Sequence, residues 1–250
     1  MSGHSKWATI KRKKGAQDAK RSNLFAKLLR AVEVAAREGG GDVKGNMTLA
    51  SAVEKAKAAS VPNDNIERAI KRGTGELEGG ARYEEVVYEG YAPGGVAMFV
   101  ETLTDNRNRT TQEVRHAFTR HGGNLGETGS VAWMFSRRGS IQIEKSEAPD
   151  EERLLEIALE AGAENLDDAE STWEITCDPS SFTAVRDAVA AAGIPMLSAE
   201  LTMLPQSTVP VEGGQAKQVL ALLEALEDLD DVQNVYANFD IPESVMAELG

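Results

Sequence analysis

Ser140-Ile141-Gln142-Ile143-Glu144-Lys145 and Ser171-Thr172-Trp173-Glu174-Ile175-Thr176-Cys177 decide the fold, together with the helical stretch 151–161 between them. Both have the period of a strand, with Trp173, Ile175 and Cys177 on one strand face. Outward from them lie a short strand near 164–166, a helix over 179–192 and a strand over 196–203. The order is therefore βαββαβ, the split-βαβ ferredoxin-like pattern. This unit is complete in itself, whereas the segments on either side of it are not. Before it come strands at 85–91 and 95–103, joined at Ala92-Pro93-Gly94. A helix over 110–121, with Thr110-Thr111-Gln112-Glu113 as a capping box, and a strand at 131–135 follow them. After the unit come an extended stretch at 208–211, a helix over 214–226, a strand over 232–239 and a terminal helix beyond Pro242. The two incomplete halves complete one another. The expected class is α+β: residues 76–138 plus 206–250 form a discontinuous domain, and an acidic βαββαβ domain of residues 139–205 is inserted into it.

Residues 1–75 predict a basic, all-helical domain. Leu24, Leu28, Val32 and Ala35 mark one face of a helix over 17–37 that stops at Gly39-Gly40-Gly41. Asn46 is placed to cap a second helix over 48–59, with Leu49, Val53 and Ala56 as its apolar stripe. Asn63 is placed to cap a third over 64–71, ended by Gly73. Short connections suggest an antiparallel bundle, with residues 1–15 as an arm that is mobile in isolation.

The net charge of −13 over 250 residues argues against a polyanionic partner until it is divided along the chain. Residues 1–75 hold 16 basic and 7 acidic side chains, +9, and residues 1–37 alone hold 10 and 2, +8; the remainder holds 11 and 33, −22. A basic head on an acidic body can grip a polyanion while the body resists loose adsorption. Lys6, Lys11, Arg12, Lys13 and Lys14 in the arm suit phosphates, and Trp7 can stack on an unpaired base. Lys20, Arg21, Lys27 and Arg30 carry the charge onto the first helix, with Lys20, Lys27, Arg30 and Arg37 projecting away from its apolar stripe. In the polar loop 104–110, Arg107 and Arg109 can fork onto phosphate, or can brace the turn through Asp105.

Several function classes fall away. The single cysteine, Cys177, allows no intramolecular disulfide or cysteine-rich zinc site, and its strand position makes it a core thiol. No cofactor is expected, since the Gly-rich segment 122–129 follows a helix and lacks a P-loop ending. His4, His116 and His121 lack partners at metal spacing, so no metal is expected either. The acidic runs 147–152 and 228–231 read as solvated helix starts and turns. No apolar run is long enough to span a membrane and no signal-peptide core follows the basic N-terminus, so a cytoplasmic protein is expected. No nucleophile, base and orienting group can be assembled, and neither enzymatic activity nor a small-molecule substrate is expected.

Gly3-His4-Ser5-Lys6-Trp7-Ala8-Thr9-Ile10-Lys11, followed by Asp18-Ala19-Lys20-Arg21, resembles the opening signature of the YebC family. Pro62-Asn63-Asp64-Asn65-Ile66-Glu67-Arg68, Tyr88-Glu89-Gly90-Tyr91-Ala92-Pro93-Gly94-Gly95 and Thr104-Asp105-Asn106-Arg107-Asn108-Arg109-Thr110 extend the match. It continues through Gly122-Gly123-Asn124-Leu125-Gly126 to Val131-Ala132-Trp133-Met134-Phe135. The family comprises bacterial proteins described as DNA-binding transcriptional regulators, and includes the mitochondrial translational activator of cytochrome c oxidase. The resemblance implies three domains, one helical and two α+β. It implies nucleic acid as partner: promoter DNA for a transcription regulator, or ribosomal or messenger RNA for a ribosome-associated translation factor. An adaptor that uses its acidic domains to bind another protein is a third reading.

Overall fold

The structure, a computed structural model, describes Trp7, residues 18–242 (side chains from Ser22 onward) and Val245. The rest of the N-terminal arm and the helix expected beyond Pro242 lie outside the described residues, Val245 apart. Helices α1 (Asp18–Gly39), α2 (Met47–Ala58) and α3 (Asn63–Gly73) come first. Asn46 joins the first two: its side-chain oxygen accepts from Leu49 N at 3.0 Å, and its amide donates to the carbonyls of Ala35 and Gly40 at 2.8 and 2.9 Å. The expected cap therefore also satisfies the open end of α1. Leu49, Val53 and Ala56 pack with Val32, Ala35, Ile66 and Ala69 into one core.

Two expectations for this part fail locally. Leu24 is exposed, because α1 is fully buried only from Val32 to Ala36, with Phe25, Leu28 and Leu29 partly buried against the helical core before it. Asn63 does not cap α3. Pro62 does, with φ preset at −58°, and its carbonyl accepts from Asn65 N and Ile66 N. At the other end Gly73 abuts α1 so closely that a Cβ there would lie 2.3 Å from the Glu33 carbonyl oxygen.

The first sheet contains β1 (Glu84–Ala92), β2 (Val96–Thr104), β3 (Asn124–Leu125) and β9 (Val232–Ala237) in the order β3-β1-β2-β9, all antiparallel. Helices α4 (Arg107–Arg120) and α7 (Gly213–Glu227) supply Val114, Phe118, Leu222, Leu223 and Leu226 to a core shared with Tyr88, Met98 and Val100. The second sheet contains β4 (Phe135–Glu144), β5 (Ala163–Ala169), β6 (Thr172–Cys177) and β7 (Ser198–Pro205), ordered β5-β6-β4-β7 and also antiparallel. Its core joins Ile141, Ile143, Trp173, Ile175 and Cys177 to Leu154 and Ala158 of α5 (Glu151–Glu160) and to Val185 and Val189 of α6 (Phe182–Ala191). A short parallel pair, β8 (Val209–Pro210) with β10 (Phe239–Asp240), completes the α+β architecture.

The strand expected at 131–135 is instead a single 3-10 turn, Ala132–Met134, after which β4 runs unbroken for ten residues. The cause is Glu89, buried on β1. Its carboxylate accepts from Gly129 N at 2.6 Å and from Val131 N and Ala132 N at 2.7 Å, which holds this segment as a turn.

The tight packing at Gly73 predicts that Gly73→Ala destabilises the protein by about 1–3 kcal/mol, since the blocking atoms are backbone and cannot rotate away. Chemical denaturation checks this. Unchanged stability would show that α1 and α3 can separate without cost.

Candidate nucleic-acid interface

The segment expected as an arginine-bearing loop is the beginning of α4. Asn106, not Thr110, is the N-cap: its side-chain oxygen accepts from Arg109 N at 3.2 Å, while its own N–H donates to Thr104 Oγ1 at 2.9 Å. Arg107 and Arg109 thus lie in the first helical turn and point in different directions. Thr110 is buried, its hydroxyl 2.6 Å from Asp231 Oδ2 and 2.7 Å from the Thr104 hydroxyl.

Asp231 is the centre of this region. It is 1% exposed and receives Arg109 Nη2 at 2.6 Å on one oxygen and Arg30 Nη1 at 2.8 Å on the other. Burial works against its ionised form. The hydrogen bonds from Arg109 and Thr110 and the charges of Arg109 and Arg30 outweigh that penalty, so its carboxyl titrates below the usual carboxylate range. Arg109 also holds Asp105 at 3.0 Å, and the hydrogen bond to Asp231, more than that to Asp105, makes its guanidinium harder to deprotonate.

The same junction captures the basic side of α1. Arg30 donates to the carbonyls of Leu103 and Asp230, both at 2.9 Å, and stacks 4.9 Å over the Tyr83 ring. Lys27 donates to the Glu227 carbonyl and Asn23 to that of Asp228, at the C-terminal end of α7. Free carbonyls and the helix dipole make such an end attractive to cations. Glu33 takes Arg37 at 3.1 Å and Arg72 at 3.0 Å.

These placements correct the nomination of site residues at several points. Lys27 and Arg30 face the first sheet and α7, so they fasten the helices to the body instead of facing solvent. Arg109 braces the start of α4 through Asp231 as well as Asp105, while its side chain stays exposed. Trp7 is 4% exposed and belongs to the core of the first sheet, so its ring offers no free face to a base. Arg107 is exposed, as a phosphate contact requires. Lys6, Lys11, Arg12, Lys13 and Lys14 lie outside the described residues; Lys20 and Arg21 have a described backbone in α1 but no described side chain. The acidic run 228–231 is not simply solvated, because Asp231 is buried. Its polar partners lie 121–201 positions away, so no local pattern could have found it.

The main cleft of the described residues offers a polyanion little. This polar cleft of about 500 Å³ is bordered by Asp167, Asp168, Glu174 and Asp240, with Arg138 on its wall; its carboxylates disfavour phosphate. Cys177 is fully buried, and burial pushes its thiol up, so it stays protonated in the core. Among the described residues, no group of three His, Cys, Asp or Glu side chains could hold a metal ion, and no helix is long and apolar enough to cross a membrane.

Comparison with known proteins covers nearly the whole chain. The model of the TACO1/YebC protein N-terminal domain matches residues 5–76, and that of the TACO1/YebC second and third domain matches residues 83–239. A protein of Rubrobacter xylanophilus named "Probable transcriptional regulatory protein" is 58% identical over 249 residues, covering 100% of this chain and 99% of the relative. A namesake from Syntrophus aciditrophicus is 54% identical over the same shares. The crystal structure of a conserved hypothetical protein from Aquifex aeolicus superposes with a TM-score of 0.79 at 51% identity, covering 90% of this chain and 92% of that one.

The depressed titration of Asp231 predicts an acid limit to stability. A carboxylate whose folded pKa lies below its unfolded value of about 3.9 stabilises above that value and loses the contribution as pH falls through the folded pKa. Asp231→Asn leaves two guanidiniums facing a neutral group and should cost about 3–5 kcal/mol at pH 7, with a smaller further loss between pH 5 and pH 2 than the parent shows. Thermal melts across pH measure both. A variant that melts like the parent at pH 7 would remove Asp231 from the centre of this junction.

Proposed function

The chain belongs to the TACO1/YebC family, and on that premise we propose that it is a non-enzymatic regulator of gene expression that binds nucleic acid, with promoter DNA as the first-choice target. The observation that carries this is charge segregation. Residues 1–37 hold 10 basic against 2 acidic side chains, on a chain whose net charge is −13. A head of that charge binds phosphates by releasing their counterions, while the acidic remainder keeps the rest of the surface off the polyanion. The relatives' name, a transcriptional regulatory protein, agrees with this role. The arm residues Lys6, Lys11, Arg12, Lys13 and Lys14, with Lys20, Arg21 and Arg107, are the proposed contacts.

RNA is the second reading, supported by α2 and α3. They follow one another through a short turn, as in a helix-turn-helix, which places α3 where a recognition helix would be. Base edges would then meet the N-terminal residues of α3, yet that end carries exposed Asp64 and Glu67. Carboxylates there suit a DNA major groove poorly. Contact made through backbone phosphates alone suits a structured RNA, such as ribosomal RNA, equally well.

Crosslinking in cells, with sequencing of both recovered DNA and RNA, separates the two targets: promoter enrichment supports the first and ribosomal RNA the second. In vitro, changing Lys11, Arg12, Lys13 and Lys14 together to Ala should weaken binding to a DNA duplex and flatten its salt dependence by up to about 3–4 in log–log slope. An unchanged slope in a salt titration would reduce the arm to a tail and remove the main support for this function.

A further inference from the structure

Helix α4 carries a face whose charge opposes that of the body around it. Beyond residue 75 the chain holds 11 basic against 33 acidic side chains, and four of those eleven, Arg107, Arg109, Arg115 and Arg120, lie in the 14 residues of α4. Only one acidic residue, Glu113, shares the helix. In such an acidic setting a basic side chain readily finds a carboxylate, and most of the others do. Arg109, Arg138, Lys145, Arg153 and Arg186 each hold at least one at 2.5–3.1 Å. Arg107, Arg115 and Arg120 are exposed and pair with no carboxylate among the described residues.

Their spacing puts Arg115 and Arg120 on the outward side. At 100° per residue, Arg115, His116 and Arg120 fall on the outer arc with Asn108, Gln112 and Thr119, all exposed; Arg107 is exposed at the helix start but stands at the angle of Val114 and Phe118. Thr110, Val114, Ala117 and Phe118 occupy the opposite, buried arc. From Asn108 to Arg120 the strip is about 18 Å long, which matches roughly five steps of a duplex at 3.4 Å each. At its C-terminal end, His121 has its pKa lowered, first by burial and then by the positive charges of Arg120 and His116.

We propose that the outer face of α4 is a second phosphate-binding track, separate from the N-terminal arm, and that it follows the backbone of the same nucleic acid; the inference rests on the function proposed above. Guanidinium forks match phosphate oxygens, and Asn108, Gln112 and Thr119 between them supply the neutral donors typical of backbone contacts. None of the large exposed apolar side chains of the described residues lies on α4. The face therefore has no apolar centre of the kind a protein partner would bury.

The test compares three full-length proteins: the parent, the Lys11/Arg12/Lys13/Lys14→Ala arm variant, and a variant with Arg115 and Arg120 both changed to Gln. Binding to a 20-base-pair DNA duplex, an RNA hairpin of similar length and polyglutamate is measured across salt concentrations, with thermal melts alongside. The Gln variant should melt like the parent, bind nucleic acid several-fold more weakly, and show a log–log salt slope shallower by about 1–2. Changing the two arginines to Lys should restore most of the slope. If the parent binds and the arm variant flattens the slope while the Gln variant leaves it unchanged, the track is refuted and the arm reading stands. Loss of binding that only accompanies earlier melting also refutes it. So does an equal dependence of polyglutamate binding on these arginines without binding of either nucleic acid. A parent that binds neither nucleic acid overturns both proposals together.

Discussion

A buried carboxylate that must keep its partners holds this molecule together. Asp231, at the start of β9, takes Arg30 from α1, Arg109 and Thr110 from α4 and lies 3.2 Å from Thr104 of β2. Stripped of these, it would be a lone charge out of contact with water, a state that costs several kcal/mol. Helical segment, hairpin and α4 therefore meet at one point and cannot drift apart independently. The constraint also runs outward. It fixes the start of α4, and with it the direction in which every later residue of that helix projects.

That junction sorts the positive charges of the chain. Cations on α1 that face the body are consumed at close range by the exposed carbonyls ending α7 and by Asp231, and Glu33 takes Arg37 and Arg72. A count of basic residues thus overstates what the head offers to a polyanion, because part of the count is spent on assembly. Trp7 belongs to the same pattern: it lies in the arm by sequence and in the first sheet's core by position.

How much of this was legible in the sequence depends on range. The alternation of Trp173, Ile175 and Cys177 and the stripe of Leu49, Val53 and Ala56 announce elements whose burial is decided by their own period, and the structure places all six in cores. Asn46 reads as a cap because the interaction spans three residues. The errors share the opposite trait. The turn at Ala132–Met134 depends on Glu89, 40 or more positions away, and nothing within 131–135 distinguishes it from a strand. Asp231 looks like one more acid in an acidic turn until its partners, more than a hundred residues upstream, are brought to it. Asn63 and Thr110 are plausible caps that lost to neighbours, Pro62 and Asn106, whose geometry or second contact was better.

The displaced cap of α4 shows how a shift of a few residues changes chemistry. Were Thr110 the cap, Arg107 and Arg109 would both sit in a loop and could turn together toward solvent or toward Asp105. With Asn106 as cap they are the first and third residues of a helix, about 200° apart around its axis. Both remain exposed, but Asp231 lies within reach of one alone: Thr110 and Arg109 converge on it, and Arg107 does not. The pair that the sequence presents as equivalent is thereby divided by its partners, Arg109 being tied to Asp231 and Asp105 while Arg107 holds no carboxylate among the described residues, with no change in residue type.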